Sequence, residues 1–194
     1  NKDNNMANKD AAFGFRPVRS LIGGELRTEE YAITANYGSN IFTGQVVEAV
    51  TAGGIEAAAA GDVQQLGVFA GVFYTDPTTS KPTFKPFYAA STNASDLKAT
   101  VHVDPYTVFE AQHDGTGTAA QNHGGHDFVG VGGNTTTGMS TSEIDTDTVG
   151  TSGGFKQIGI SKDPENSDTA SANVNAYVVF NTGEHVFKLT TGIA

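Results

Sequence analysis

The stretch VHVDPYTVFEAQHDG at 101–115 limits the fold more than any other, because it makes a strand between two turns. The turns are Asp-Pro and Asp-Gly dipeptides ending at Pro105 and Gly115, where proline presets φ and glycine supplies left-handed backbone. Between them Phe109 and His113 fall on the same face, as the alternation of a strand requires. Within this stretch, no nucleophilic side chain lies beside a general base. The same combination, a clear strand pattern without candidate catalytic residues, recurs along this chain.

The composition predicts one domain built from many short strands. The 194 residues include 24 glycines, no tryptophan and 16% charged residues, whereas a helical bundle would be richer in Leu, Glu and Lys. We therefore predict an all-β fold, mainly an antiparallel β-barrel or β-sandwich, with an extended N-terminal arm and little helix. The predicted divisions are the arm at 1–30, the β-rich domain at 31–181 and a C-terminal tail at 182–194.

Charge and composition also exclude several classes of partner. The formal net charge of −10 argues against nucleic acid and anionic lipid, because phosphate binding depends on Lys and Arg. The chain has no cysteine, which rules out disulfides and is compatible with a reducing cytoplasm. No apolar run approaches the roughly 20 residues of a membrane helix, so we predict no membrane partner. The N-terminus lacks the apolar segment of a signal peptide, and Met6 is predicted to be the natural start after a five-residue extension.

Alternation and turn residues place the strands along the chain. Strands are predicted at 31–35, 41–50, 65–76, 97–103, 106–113, 155–161 and 174–181. The alanine-rich 55–60 is predicted as a short strand or loop, with one helical turn as the alternative. Three prolines make 76–86 a loop. The Gly- and Thr-rich 114–154 is predicted as a loop region with a short helix or turn near 140–144.

The N-terminal segment combines aromatic, proline and arginine residues that suit an extended arm. Proline disfavours helix around it, and the three arginines of the chain all lie in this part. Arginine is favoured at interfaces because its planar fork pairs with carboxylates. The candidate contact residues are Phe13, Phe15, Arg16, Pro17, Arg19 and Arg27. Either the aromatic side chains dock on another chain, or Phe13 and Phe15 pack back onto their own domain.

Residues 99–155 contain seven carboxylates and neither Lys nor Arg. We call this stretch the acidic block. Such a block is most often a solvated face of the protein. The alternative is that it accepts a positively charged neighbour or the arginine-bearing arm of another subunit.

Metal binding and catalysis find little support in the sequence. His123 and His126, followed by Asp127, have a spacing that zinc accepts, but their glycine-rich loop offers no firm scaffold. Exposed loop histidines are the alternative interpretation, and we predict no metal and no cofactor. Phosphate-binding, dinucleotide-binding and serine-hydrolase motifs are absent from the sequence, so we predict that the protein is not an enzyme.

Two sets of short motifs resemble structural proteins of tailed phages. The first set resembles the strand–turn rhythm of lambda-type head-decoration proteins and comprises GQVV at 44–47, GIE at 54–56, AGD at 60–62 and GVFAGV at 67–72. The second set resembles virion structural proteins of marine and cyanobacterial phages and comprises MANKDAAFGFRPV at 6–18, FYTDPTTSKPTF at 73–84, DPYTVFEAQ at 104–112 and GISKDPENSDTASANVNAYVVFN at 159–181. Together the motifs extend over most of 6–181.

This resemblance implies a capsid decoration, or cement, protein with a β-tulip-like domain. Such a protein would be assembled in the host cytoplasm, bind the outside of a phage head and stabilise the lattice of the major capsid protein. The implied oligomer is a homotrimer, with a dimer as the alternative, and the arm would add a strand to the capsid.

The alternatives are another virion component, such as a head fibre base, minor capsid or tail protein, or a secreted metal-dependent or carbohydrate-active enzyme. On the decoration hypothesis, we expect deletion of 6–19 to abolish capsid binding while the domain stays folded.

Overall fold

The computed structural model describes residues 7–61 and 64–188, and its secondary structure is almost entirely β. The strands are β1 (Arg16–Ser20), β2 (Thr28–Ile33), β3 (Ile41–Phe42), β4 (Val46–Ala49), β5 (Gly54–Ala57), β6 (Gln65–Thr75), β7 (Pro82–Lys85), β8 (Phe87–Tyr88), β9 (Lys98–His102), β10 (Thr107–Gln112), β11 (Gly125–His126), β12 (Phe128–Val129), β13 (Gly133–Asn134), β14 (Met139–Ser140), β15 (Glu143–Ile144), β16 (Phe155–Ile160) and β17 (Asn175–Phe180). Two 3₁₀ turns, Ala119–Gln121 and Val186–Lys188, are the helical elements of this part of the chain. The predicted all-β class with little helix is confirmed.

Five of the strands close into a barrel. Their order is β4-β5-β2-β9-β6, pairing of β4 with β6 closes the ring, and β7 extends the sheet beyond β6. Neighbouring strands are antiparallel except β2 and β5, which run parallel. Closure removes the free edges that an open sheet would expose.

The barrel strands bury side chains on both of their faces. Val47 and Phe69 lie in the core of the barrel, whereas their chain neighbours Val46 and Val68 lie in a second core outside it. This follows from the alternation of side chains along a strand. The second core therefore joins the barrel to the sheet that packs against it.

That second sheet has the order β1-β10-β17-β16-β11 and is antiparallel throughout. Its core is built around aromatic rings. Phe155 stacks on Phe15 with ring centroids 4.2 Å apart and on Phe180 at 4.8 Å, while Phe109 and Phe128 meet it edge-on. Each such pair contributes about 0.5–1.5 kcal/mol beyond burial of its surface.

The strand predicted from 106–113 is β10, and it lies inside the second sheet. It pairs with β1 on one side and with β17 on the other. Every residue of β10 is buried. The strand that the sequence marked most clearly is thus central to the sheet.

Two predictions of strand and loop are wrong, each for a local reason. The strand predicted at 41–50 is divided into β3 and β4, because the chain turns at Gly44 with φ of +87°. The loop predicted at 76–86 contains β7, which pairs with the end of β6. Its Pro82 is tolerated because β7 is the last strand on that side of the sheet.

The segment at 114–154 contains strands rather than the short helix considered for it. β12 pairs with β15 and β13 with β14, so the helix near 140–144 is wrong. The hydroxyls of Ser140 and Ser142 lie 2.8 Å apart and donate to the carbonyls of Gly132 and Gly130. The N–H of Ser142 also donates to Oγ of Ser140 at 3.0 Å, and a local side-chain bond of this kind competes with helical hydrogen bonds.

The N-terminal segment is extended but is not a free arm. Asn8 donates to the carbonyl of Asp168, and the amide of Gln112 donates to the carbonyl of Lys9. β1 then pairs with β10. Residues 8–20 are therefore docked along their own domain, through partners more than 80 positions away in sequence.

Parts of the predicted termini lie outside the described residues. These are the start predicted at Met6 with its extension and residues 189–194 of the predicted tail. The described part of the tail forms the 3₁₀ turn Val186–Lys188, in which the amine of Lys188 donates to the carbonyl of Phe180 at 3.1 Å.

Candidate protein-interaction surface

Phe15 is a core residue. Its side chain is fully buried against Phe155, and its N–H donates to the Gly44 carbonyl at 2.8 Å. Another chain cannot reach this ring while the sheet is intact. The contact role considered for Phe15 is therefore corrected, and the alternative of packing onto its own domain describes it. Phe13 is half-buried, and its ring centroid lies 4.8 Å from the guanidinium carbon of Arg16.

Arg16 is paired within its own chain. Its Nη2 lies 2.5 Å from Oε2 of Glu110, and the other carboxylate oxygen accepts the hydroxyl of Ser161 at 2.6 Å. The Glu110 side chain is only 8% exposed, so the guanidinium offsets a charge that is largely removed from water. One carboxylate of the acidic block thus accepts an arginine of the same subunit.

The other arginines lie on the surface. Arg27 forms an ion pair with Glu29, two residues along the chain, and exposed pairs of this kind contribute about 0–1 kcal/mol. Arg19 is exposed, and within residues 7–61 and 64–188 it makes no ion pair. Pro17 is half-buried and lies opposite Phe109. Of the predicted contact residues, Arg19 is the one best placed to meet a partner.

β1 is an edge strand with features that oppose the addition of another strand. Pro17 has no N–H, and the register shifts between Pro17 and Arg19, which leaves Val18 as an extra residue. Proline, bulges and charged side chains are the means by which edge strands avoid pairing. This edge therefore favours contact through side chains over the strand addition that the resemblance implies.

Four exposed apolar residues belong to three chain segments that hydrogen bonds connect near the end of β1. They are Leu21, Ile22, Tyr106 and Phe187, and we call them the end patch. Ile22 is 73% exposed and Phe187 is 54% exposed. Single exposed apolar residues are ordinary, but several at one place are typical of a protein-binding surface.

Three separate parts of the chain form the end patch. The N–H of Leu21 donates to the carbonyl of Tyr106 at 2.9 Å. Lys188 follows Phe187 directly in the sequence. Its Nζ donates to the carbonyl of Pro105 at 3.2 Å and lies 4.8 Å from the ring centroid of Tyr106. Burial lowers the pKa of Lys188. These contacts connect the three segments that carry the exposed side chains.

Sequence reasoning missed the end patch, although one signal was present. Leu21 and Ile22 are followed by Gly23 and Gly24, both with positive φ. Two large apolar residues that lead directly into a glycine turn have no strand in which to be buried. Tyr106 and Phe187 join them only through the fold.

A small apolar pocket of about 70 Å³ lies between the start of β1 and the barrel. Phe13, Pro17, Val68 and Met139 contribute to its wall, together with His102. Burial lowers the pKa of His102, whose Nδ1 has no hydrogen-bond partner. The pocket is far below the roughly 300 Å³ at which small-molecule sites begin.

The residues considered for zinc do not form a ligand set. His123 is exposed, His126 is fully buried, and the carboxylate of Asp127 accepts the N–H of Gly154 at 3.1 Å. Across the described residues, no group of three or more His, Cys, Asp or Glu side chains is placed to hold a metal ion. The exposed-loop interpretation is confirmed for His123 and wrong for His126.

Carboxylates of the acidic block also accept hydrogen bonds within the loops of the segment at 114–154. Asp114 accepts the N–H of Thr146 at 2.9 Å and its hydroxyl at 2.5 Å. Burial raises the pKa of Glu143, and the nearby charges of Asp10 and Asp114 raise it further. These side chains therefore serve the fold of their own chain.

Comparison of the chain with protein-family models, with curated proteins and with solved structures found no match. In the part of the chain that the structure describes, no helix has the length and hydrophobicity to cross a bilayer.

Proposed function

We propose that the protein is a capsid decoration protein that binds the outside of a phage head and stabilises the lattice of the major capsid protein. The end patch is the observation that carries this proposal, because it presents exposed apolar side chains on a hydrogen-bonded scaffold. The sequence motifs that resemble virion structural proteins are the reason for proposing the major capsid protein as the partner.

The chemistry of the rest of the molecule supports adhesion rather than catalysis. The buried carboxylate of Glu110 is neutralised by Arg16, and Asp114 and Asp127 are bound to loop hydrogen-bond donors. Adhesion by many weak contacts needs only shape and repetition, since an oligomer that engages several capsid subunits multiplies modest affinities. This suits a β-scaffold in which the side chains of the end patch make the contact.

We expect Ile22→Asp to weaken binding to phage heads at least tenfold. The side chain is 73% exposed, so the fold loses little, whereas a carboxylate placed in an apolar contact must be desolvated without a partner. The measurement is co-sedimentation of the purified protein with heads of the encoding phage that lack the protein.

Val131→Asp is the matched control. Val131 is also an exposed β-branched residue, at 53%, and the change in charge is the same. It should bind within about twofold of the wild type. Equal binding by both variants would show that the end patch is not part of the contact. Failure of the wild-type protein to bind heads at all would contradict the proposed function itself.

A homotrimer is the proposed oligomer, with a dimer as the alternative. Three copies of the 20.1 kDa chain give a mass of about 60 kDa, and two give about 40 kDa. Light scattering of the protein eluting from a sizing column separates these outcomes from a monomer. A monomer at all concentrations would mean that self-association is not part of the binding mechanism.

A further inference from the structure

Two fully buried histidines meet inside the second core. His113 directly follows β10 and His126 ends β11, and their rings are edge-to-face with centroids 5.5 Å apart. His126 lies on β11, the short edge strand that the segment at 114–154 contributes to the second sheet, whereas His113 follows the interior strand β10. The pair therefore lies at the junction between the segment and the sheet.

Hydrogen bonds assign the tautomer of His113. Both amide hydrogens of Gln157 are used, because its Nε2 donates to the carbonyl of Thr118 and to Oδ1 of Asn122, each at 2.9 Å. Its Oε1 is then the acceptor for Nε2–H of His113, also at 2.9 Å. Nε2 of His113 therefore carries a hydrogen, and in the neutral imidazole the lone pair is on Nδ1.

The same reasoning applies to His126. Its Nδ1 lies 3.2 Å from the carbonyl oxygen of Asp145, which can only accept, so Nδ1 carries the hydrogen. The remaining nitrogens, Nδ1 of His113 and Nε2 of His126, are buried without a hydrogen-bond partner. Protonation of either nitrogen would create a buried, charged N–H without an acceptor.

The electrostatic surroundings oppose a charge on His113. Burial lowers the pKa of His113 to about 4; His126 lowers it further, and the bond from Gln157 and the charge of Asp114 act in the opposite direction. The charged or titratable groups on the elements packed against this pair are Glu110 and Asp114 on or next to β10, Asp127 after β11, Glu143 and Asp145 on or next to β15, Lys156 on β16, Tyr177 on β17 and His123 in the preceding loop. Asp114 is exposed and bound to Thr146, so it offers little compensation.

Backbone pairs join the segment to the sheet over a short stretch. β11 pairs with β16 over two residues, and His123 and Gly124 extend this contact through two hydrogen bonds with Gln157, whereas β16 and β17 pair over most of their length. A second attachment lies at Thr43, whose backbone bonds to Gly138 and Ser140. Gly117 packs directly on the ring of His113, where a Cβ would lie 2.4 Å from Cδ2. The buried face of the segment thus includes His126 beside Phe128 and Ile144, and the ring of His113 packs against it.

We propose that residues 115–154 form an acid-sensitive flap, which opens when the buried His113, packed against His126, takes up a proton while the barrel stays closed. This inference concerns the fold and is independent of the proposed function. The sign for His113 follows from linkage: its imidazole binds a proton more readily in the open state, so its contribution to closure is fully present above pH 6.5 and is lost as the pH falls toward 4. The raised pKa of Glu143 acts in the opposite direction.

The expected size of the effect can be stated for His113 alone. With an ordinary pKa of about 6.5 in the open state and about 4 in the closed state, the opening constant rises roughly 70-fold between pH 7.5 and pH 4.5. Hydrogen exchange of the full-length protein at both pH values measures it, after correction for the intrinsic exchange rate at each pH. Exchange in peptides from 115–154 should rise, and that in peptides from β6 and β9 should not.

His113→Gln is the diagnostic variant, since its amide can still donate to Gln157 but cannot titrate. It should lose most of the pH dependence of exchange. His123→Asn is the matched control, because His123 is exposed and has φ of +71°, which asparagine tolerates. The control should keep the full pH dependence.

A second measurement keeps the proposal open to refutation if His113→Gln does not fold. In the wild-type protein, the imidazole proton resonances of His113 should not titrate until the flap peptides begin to exchange. Titration of His113 near pH 6.5 with the flap still protected would overturn the proposal. So would full protection of 115–154 at pH 4, or simultaneous opening of the barrel.

Discussion

Phe15→Ala is expected to lower the free energy of unfolding by about 3–5 kcal/mol. The ring is fully buried and stacked on Phe155 at 4.2 Å, with Phe128 edge-on at 6.2 Å. Truncation removes its transfer free energy and leaves a cavity among aromatic rings that cannot all collapse into it. Part of the loss is the stacking contribution of the aromatic pair.

Urea denaturation followed by circular dichroism measures the change. For a slope of about 2 kcal/mol/M, the midpoint should fall by roughly 2 M. Phe13→Ala is the matched control, since it is the same substitution two residues away at a half-buried ring. Phe13→Ala should lower the free energy of unfolding by about 1 kcal/mol. If the two variants were equally stable, Phe15 would not belong to the core.

Deletion of 6–19 would remove core residues together with the candidate contact residues. Removing 6–19 also removes Phe15, the partner of Phe155, and most of β1, which pairs with β10. The expectation that the domain stays folded after this deletion conflicts with the structure. Loss of capsid binding by the truncated protein would report unfolding as readily as loss of a contact. Point substitutions in the end patch avoid this ambiguity.

The strands themselves were predictable because their signals are local. The alternation of 106–113 and the turns at its ends depend on neighbouring residues alone, and β10, β16 and β17 lie where the pattern predicts them. The wrong predictions at Gly44 and Pro82 came from local signals that are ambiguous. A glycine inside a strand pattern and a proline in an edge strand each have two structural meanings, which only the partner strand decides.

The positions of the side chains depended on pairings that the sequence does not show. For Phe15, packing onto its own domain and docking on another chain were equally compatible with an aromatic residue before proline. β10 decides between them from more than 80 residues away. Closure of the barrel through β4 and β6 likewise follows from register and not from composition.

The histidines illustrate the same limit at the candidate sites. His126 follows two glycines, and a glycine-rich stretch predicts an exposed loop. In the structure Gly125 packs so closely that a Cβ would lie 2.1 Å from the carbonyl oxygen of Ser152. The glycines therefore permit close packing as well as flexibility, and close packing is what buries His126.

Gly67→Ala is expected to lower the free energy of unfolding by about 3 kcal/mol, the upper end of the usual cost of overpacking. Gly67 lies in β6, the strand that pairs with both β4 and β9 where the barrel closes. A Cβ there would lie 2.2 Å from the carbonyl oxygen of His102 and 2.7 Å from Cγ1 of Val101. The oxygen is part of the backbone of β9, so no rotamer change relieves the clash and the two strands must separate.

Gly159→Ala tests whether space, rather than loss of a glycine, is responsible. Gly159 also lies in a strand, β16, but a Cβ there meets nothing within 4 Å and the residue does not have positive φ. Alanine should leave stability unchanged or raise it by about 0.4–1 kcal/mol, because it restricts the unfolded chain. Urea midpoints of the two variants provide the comparison. Equal midpoints would mean that β6 and β9 can separate at no cost, in which case the close approach of these strands would not be what holds the barrel shut.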